Sequence, residues 1–293
     1  MIIIDCYSIP IYILFDYNVP NNFNLDEKNY EKNSLIFLLT SWYKSHNVFK
    51  IVNSNKEFNI VILANSLEEK NFFEKKVSCD VLFCNHNAFL DEKKYIIYNS
   101  LHKKYDMVID SAFHEYKNVN VAKKIQNTIH IGYFKYDKRN TDDKVIPNFG
   151  TLVNFKNGEY TKLDKQLINV YYNQSLMGGL FSECEGACFA SSQYLLCGLP
   201  VISIKSVGGR DIWYNEHNSI ICENNEDSVY EAVELAKSKI VSGEFNREKI
   251  RDLHLKQMDE HRNTLIEYIN KRLLNNEEKI IDINDIKKQL AFF

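Results

Sequence analysis

The stretch SECEGACFASSQYLLCGLPVIS, residues 182–203, decides the fold. It follows the short apolar run Met177–Phe181 and reads as strand, acidic turn, helix, turn and strand. Gly186 gives the turn backbone freedom that other residues lack. A helix begins near Ala187 with small residues at its mouth. Gly198 stops it, and Pro200 two residues later prevents its continuation. Val201–Ile204 is the next buried strand. A helix opening just past a glycine turn presents unpaired amides and the positive end of its dipole, which suits an anion such as a diphosphate. An ordinary β-α-β unit would carry the same glycines, and neither a GxGxxG nor a GxxxxGK motif is present.

Working outward, short apolar runs alternate with amphipathic stretches. Strands are expected at 11–15, 49–52, 59–63, 80–84, 107–110, 128–134, 177–181, 201–204 and 219–222. Helices are expected at 34–44, 67–76, 91–102, 119–126, 164–172, 187–197, 228–238, 247–274 and 280–290. The alternation predicts an α/β fold of parallel sheets flanked by helices. Residues 135–150 read as a long polar loop. With 293 residues the chain is long enough for about two domains. The expected division is 1–104, 105–272 and a C-terminal helical segment 273–293 packing back toward the first domain.

Composition narrows the function classes. A formal net charge of -3 is too balanced for the broad basic footprint of a nucleic-acid binder. The seven cysteines are odd in number and form no CxxC pair, so they read as reduced thiols of a cytosolic protein. Cys184 and Cys188 have no clustered histidine and no Asp-x-Asp element ends a strand, so no metal is implied. The apolar start of the chain lacks a basic n-region and carries Asp5 and Asp16, so it does not read as a signal peptide. No run reaches the roughly 18 apolar residues of a spanning helix. The expected location is cytoplasmic, with peripheral contact at the inner membrane surface left open.

The whole string from 182 to 222 resembles the signature of the retaining glycosyltransferases of family 4. In that family an EG turn and a second acid eight residues later flank such a helix. Glu185 stands at the first acidic position and Gln193 at the second. CGLPVIS, residues 197–203, and GGRDIWYNEHNSIIC, residues 208–222, match the strand and glycine-pair loop that follow. The close match covers about 40 residues and extends weakly back to about residue 105. The resemblance implies a GT-B architecture of two Rossmann-like domains, here with a small N-terminal one. It also implies a nucleotide-sugar donor and a glycan or lipid-linked acceptor, with no separate cofactor.

By the same resemblance, Glu185 would hold hydroxyls of the donor sugar and Gln193 the ribose. The amides of Gly186, Ala187 and Cys188 would face the sugar and phosphates. Eight residues of helix rise about 12 Å, comparable to the span from sugar to ribose across a diphosphate. An Arg and a Lys usually clamp that diphosphate; Ala112 occupies the Arg position and Lys117 the Lys position. Arg210, beside Gly208 and Gly209, is the expected replacement for the lost charge. Lys138 and Arg139 are candidates for a loop over the site. His86, with Asn85 and Asn87 at a strand end, and His114 are candidate donor or acceptor contacts. The catalytic pair is expected to be Glu185 and Lys117. Alternatives are an inactive partner subunit of the same fold, favoured by Gln193 and Ala112, and a sugar-nucleotide epimerase.

Overall fold

A computed structural model describes residues 2–4, 9–16, 25, 30–133, 146–156 and 159–274. The first half holds β1 (Ile2–Ile4), β2 (Ile11–Phe15), β3 (Leu35–Leu39), α1 (His46–Ser54), β4 (Asn59–Ala64), α2 (Leu67–Glu74) and β5 (Asp80–Phe83). These strands form one sheet in the order β1-β2-β3-β4-β5. All pairs are parallel except β1 with β2. β3 is the middle strand and all five of its residues are buried, which is why LIFLL shows no alternation.

The second half holds β6 (Tyr105–Ala112), β7 (Thr128–Tyr133), β8 (Thr151–Leu152), the hairpin strands β9 (Phe155–Lys156) and β10 (Glu159–Tyr160), and α3 (Lys165–Gln174). It continues with β11 (Ser175–Leu180), β12 (Cys184–Glu185), α4 (Phe189–Leu196), β13 (Val201–Ile204), β14 (Val207–Gly208), β15 (Ser219–Cys222), α5 (Glu226–Ser242) and α6 (Arg247–Leu274). Its six-stranded sheet runs β15-β13-β11-β6-β7-β8, parallel throughout. From β6 the chain first builds outward through β7 and β8, then returns to place β11 on the other side of β6. The reversal creates a topological switch point between β6 and β11, where open parallel sheets bind ligands beyond their carboxyl ends.

The sheets are tied by α6, a 28-residue helix about 42 Å long. Arg251 on its first half donates to the carbonyls of Leu196, Tyr95 and Glu92. Further along, the fully buried Arg262 donates to the carbonyls of Ala88 and Leu90 and pairs with Glu92. Tyr268 and Arg272 both bond Asp80 at the start of β5. The return to the first half is therefore made by α6 itself, before residue 273. The expected helix at 280–290 lies outside the described residues. No helix among the described residues is long and apolar enough to cross a membrane.

Several expected elements take other forms. Residues 34–44 hold β3 and not a helix, and 49–52 lie inside α1 and not in a strand. Residues 91–102 form turns, pinned where the Ile96 and Tyr98 amides donate to the side chains of Asn169 and Asn173. The expected helix at 119–126 is a single 3-10 turn, Val119–Ala122.

Candidate active site

A cavity of about 500 Å³ opens between the two sheets. From the second half, Asp110 on β6, Lys117 beyond it, Glu185 to Cys188 beyond β11, and Gln193 on α4 all line it. Phe15, Ser41, Trp42 and His86, each at or just past the carboxyl end of β2, β3 or β5, close it from the first half. The cavity therefore sits at the switch point of the second sheet.

Its centre is an ion pair. Lys117 Nζ donates to Glu185 Oε1, and the side chains are only 11% and 6% exposed. Burial works against the Lys117 ammonium, but the Glu185 carboxylate outweighs it and raises its pKa. Lys117 therefore carries a fixed positive charge at neutral pH. Ser182 Oγ donates to the same Glu185 oxygen.

Behind this pair stands Arg210, which is fully buried and does not line the cavity. It donates to the Ser182 carbonyl at 2.8 Å, to Ser182 Oγ at 3.2 Å, to the Ile204 carbonyl and to Asp211 Oδ1 at 2.9 Å. These bonds engage every nitrogen of the guanidinium, and it orients Ser182, which orients Glu185. The glycine pair is likewise closely packed. A Cβ on Gly208, whose φ is +105°, would lie 1.8 Å from the Glu185 carbonyl oxygen. One on Gly209 would lie 2.4 Å from Asn65 Cβ, so both glycines serve close packing and neither lines the cavity.

The loop from Gly186 to Cys188 departs from expectation in a telling way. Gly186 does not have a positive φ; Cys188 does, at 56°. Gly186 is small for a different reason: a Cβ there would come 2.6 Å from the Ser41 carbonyl of the facing half. Cys188 in the left-handed region costs roughly 1–2 kcal/mol. The cost is offset by Asn87, whose amide donates to the Ala187 and Cys188 carbonyls at 2.9 and 3.1 Å. Asn85 likewise donates to the Gly209 carbonyl at 2.8 Å. α4 starts at Phe189, no side chain caps it, and Phe189 and Ala190 line the cavity, so the positive end of its dipole adjoins it. Burial pushes the Cys188 thiol up to about 12, so it stays neutral.

Of the histidines, His86 is buried at the cavity wall, with Nε2 3.2 Å from the Leu63 carbonyl. Burial pulls its pKa down to about 3, so it is a neutral wall residue. His114 accepts from the Tyr116 amide through Nδ1 at 3.4 Å and does not line the cavity. Ala112 is buried in β6. Lys138 and Arg139 lie outside the described residues. Among the described residues, no three His, Cys, Asp or Glu side chains gather as a metal site.

Sequence reasoning missed Asp110. It lines the cavity, and burial pushes its pKa up to about 6. Tyr172 hydroxyl lies 2.5 Å from Asp110 Oδ2 and 2.9 Å from Gln193 Oε1, while Gln193 Nε2 donates to Tyr95 at 3.0 Å. Tyr172 has one proton for two acceptors. With Asp110 protonated, donors run in one direction from Asp110 through Tyr172 and Gln193 to Tyr95. With Asp110 ionised, Tyr172 turns to it. The usable signal was position: Asp110 ends the apolar run Met107–Ile109 near the carboxyl end of a strand.

Comparison with solved structures places the fold. TarM matches over 89% of this chain with a TM-score of 0.62 at 13% identity. Sucrose-phosphate synthase from Thermosynechococcus elongatus matches over 83% with a TM-score of 0.55 at 13% identity. HepE from Anabaena matches over 88% with a TM-score of 0.54 at 13% identity. The fold is GT-B. The chain spans about half the length of TarM, 54%, and 70% and 71% of the other two. No protein-family model and no curated protein matches it by sequence. In GT-B terms, the cavity is the cleft between the two Rossmann-like sheets, lined from the second by residues 185–190 and Gln193.

Proposed function

We propose that this chain is a glycosyltransferase that moves a sugar from a nucleotide-sugar donor to a hydroxyl of a glycan acceptor. The observation that carries the reading is the buried Lys117–Glu185 pair at the switch point, beside the uncapped start of α4 and facing the first sheet across the cleft. HepE, of the same fold, was solved with UDP. In this reading Glu185 accepts from donor-sugar hydroxyls, and the backbone around Gly186–Cys188 approaches the diphosphate. Lys117 and the α4 amides stabilise the charge that develops on the leaving diphosphate as the sugar becomes oxocarbenium-like. Transfer with retention rests on the family 4 resemblance.

Asp110, Gln193 and Tyr95 form the polar wall for the ribose, with the acid at position 110 in place of one at 193. The test is incubation with a panel of nucleotide sugars, first alone and then with glycan acceptors, following donor consumption. Slow donor hydrolysis that accelerates with an acceptor and disappears in Glu185→Ala supports the reading. Interconversion of the sugar nucleotide without release points to an epimerase. Binding without turnover on any acceptor points to a partner subunit.

A further inference from the structure

Beside the cleft lies a second pocket of about 380 Å³, with Trp42, Glu115, Tyr116, Asn118, Glu183 and Asn224 in its walls. Trp42 and Tyr116 are walls of both spaces, so the two adjoin. Their rings pack edge to face with centroids 5.5 Å apart, and Trp42 remains 37% exposed. The walls also carry a row of hydrogen-bonded side chains: Asn118 Nδ2 donates to Asn224 Oδ1 at 2.5 Å, and Asn224 Nδ2 donates to Glu183 Oε1 at 2.7 Å. Glu115 and Glu183 supply two carboxylates, and no cationic side chain is among the described residues that line the pocket.

We propose that this pocket is a subsite for an uncharged sugar ring of the acceptor, one position away from the ring that reacts. The assignment rests on the glycosyltransferase reading of the cleft. Three features of the pocket select the ligand. An aromatic face gives an apolar surface with negative charge on the ring, which suits the C–H face of a pyranose. Amides and carboxylates at the edge satisfy hydroxyls that burial would otherwise leave unpaired. Two carboxylates without a counter-charge repel an anionic ring. The placement also fits a chain: Trp42 and Tyr116 wall both spaces, so an acceptor whose reacting ring lies in the cleft beside the donor sugar can set its next ring against Trp42.

The pocket has a built-in reporter. The chain has two tryptophans, Trp42 and Trp213, and Trp213 is fully buried. Acrylamide quenching of tryptophan emission therefore reads Trp42. Three probes are titrated without donor: the neutral hexasaccharides of amylose and cellulose, and the anionic hexasaccharide of polygalacturonate. At least one neutral probe is expected to shield Trp42, and the anionic probe to bind at least about tenfold more weakly.

The double variant Glu115→Ala, Asn224→Ala, whose residues do not line the cleft, is expected to lose the shielding. It should also raise the acceptor KM about tenfold while leaving donor hydrolysis unchanged. Shielding by neither neutral probe, equal binding of the anionic probe, or an unaltered double variant would each overturn the subsite. Shielding in a protein that turns over no donor would instead sink the glycosyltransferase reading and leave the subsite standing.

Discussion

Lys117 and Glu185 meet across the switch point of the second sheet, and Ser182, held by Arg210, donates to the same carboxylate oxygen. The pair holds the fold together, and the chemical role proposed for it separates from that by mutation. Lys117→Met leaves a buried carboxylate with only Ser182 for company and is expected to cost about 3–5 kcal/mol of stability. Combining it with Glu185→Gln removes the stranded charge and should restore much of that loss. Donor turnover should stay absent in the double variant. Denaturant midpoints and donor hydrolysis, measured on the same preparations, check both halves. A double variant with restored activity would remove the pair from the chemistry.

Arg210 offers a contrast. Its guanidinium is spent on Ser182, Ile204 and Asp211. Arg210→Met should lower stability by about 3 kcal/mol through stranded carbonyls and a freed Asp211. Donor turnover should fall through kcat, because Glu185 loses its orienting neighbour. A rise in donor KM with kcat unchanged would restore the direct phosphate contact that the sequence suggested.

Gln193 can be tested by its charge. Gln193→Glu would set a second carboxyl against Tyr172, which already serves Asp110. One proton would be shared between them, so the folded pair titrates upward from ordinary carboxylate values. A raised folded pKa means stability present at low pH and lost as pH rises through it. Thermal melts should show the variant about 1–3 kcal/mol less stable than the parent near pH 8, with the gap closing near pH 5. A pH-independent gap would contradict the shared-proton geometry.

Acid stability follows from buried histidines. Burial pulls His86 and His254 down to about 3 and His130 and His261 to about 4, from an ordinary 6.5. The unfolded chain takes up these protons first, so stability is intact above 6.5 and drains as pH falls. Burial acts oppositely on Glu69, raised to about 7, and Asp110, raised to about 6; both bind protons in the folded state and add stability as pH falls. Around pH 5 the balance leaves about two protons, or about 2.7 kcal/mol lost per pH unit. His254 packs edge-on against Trp213 with ring centroids 4.9 Å apart, a contact Phe can keep. His254→Phe should reduce the slope by about 1.4 kcal/mol per pH unit in denaturant titrations. An unchanged slope would show that His254 titrates normally.

The second half was more legible in the sequence than the first, for physical reasons. Gly198, with φ +68° just past α4, and Pro200 punctuate the chain where local chemistry alone decides the conformation. Leu35–Leu39 carries no such marks. A fully buried middle strand has the same apolar run as a buried helix, and only the sheet around it decides. The turns of 91–102 are set by Asn169, Asn173 and Arg251 from the other half, which no local propensity can foresee. In the site, the motif spacing named Lys117 and Glu185, which the fold brings together. Burial was invisible: it turned Arg210 inward, made His86 a neutral wall residue, and brought Asp110 to Gln193 through Tyr172.

The central claim is that the donor sits at the switch point, between the Lys117 turn and the 185–190 loop. Backbone hydrogen exchange with and without a saturating nucleotide sugar tests it most directly. Binding should slow exchange in segments 115–118 and 185–190 together, and Lys117→Met with Glu185→Gln should abolish the effect. A bound nucleotide sugar that protects other segments and leaves these two unchanged would contradict it.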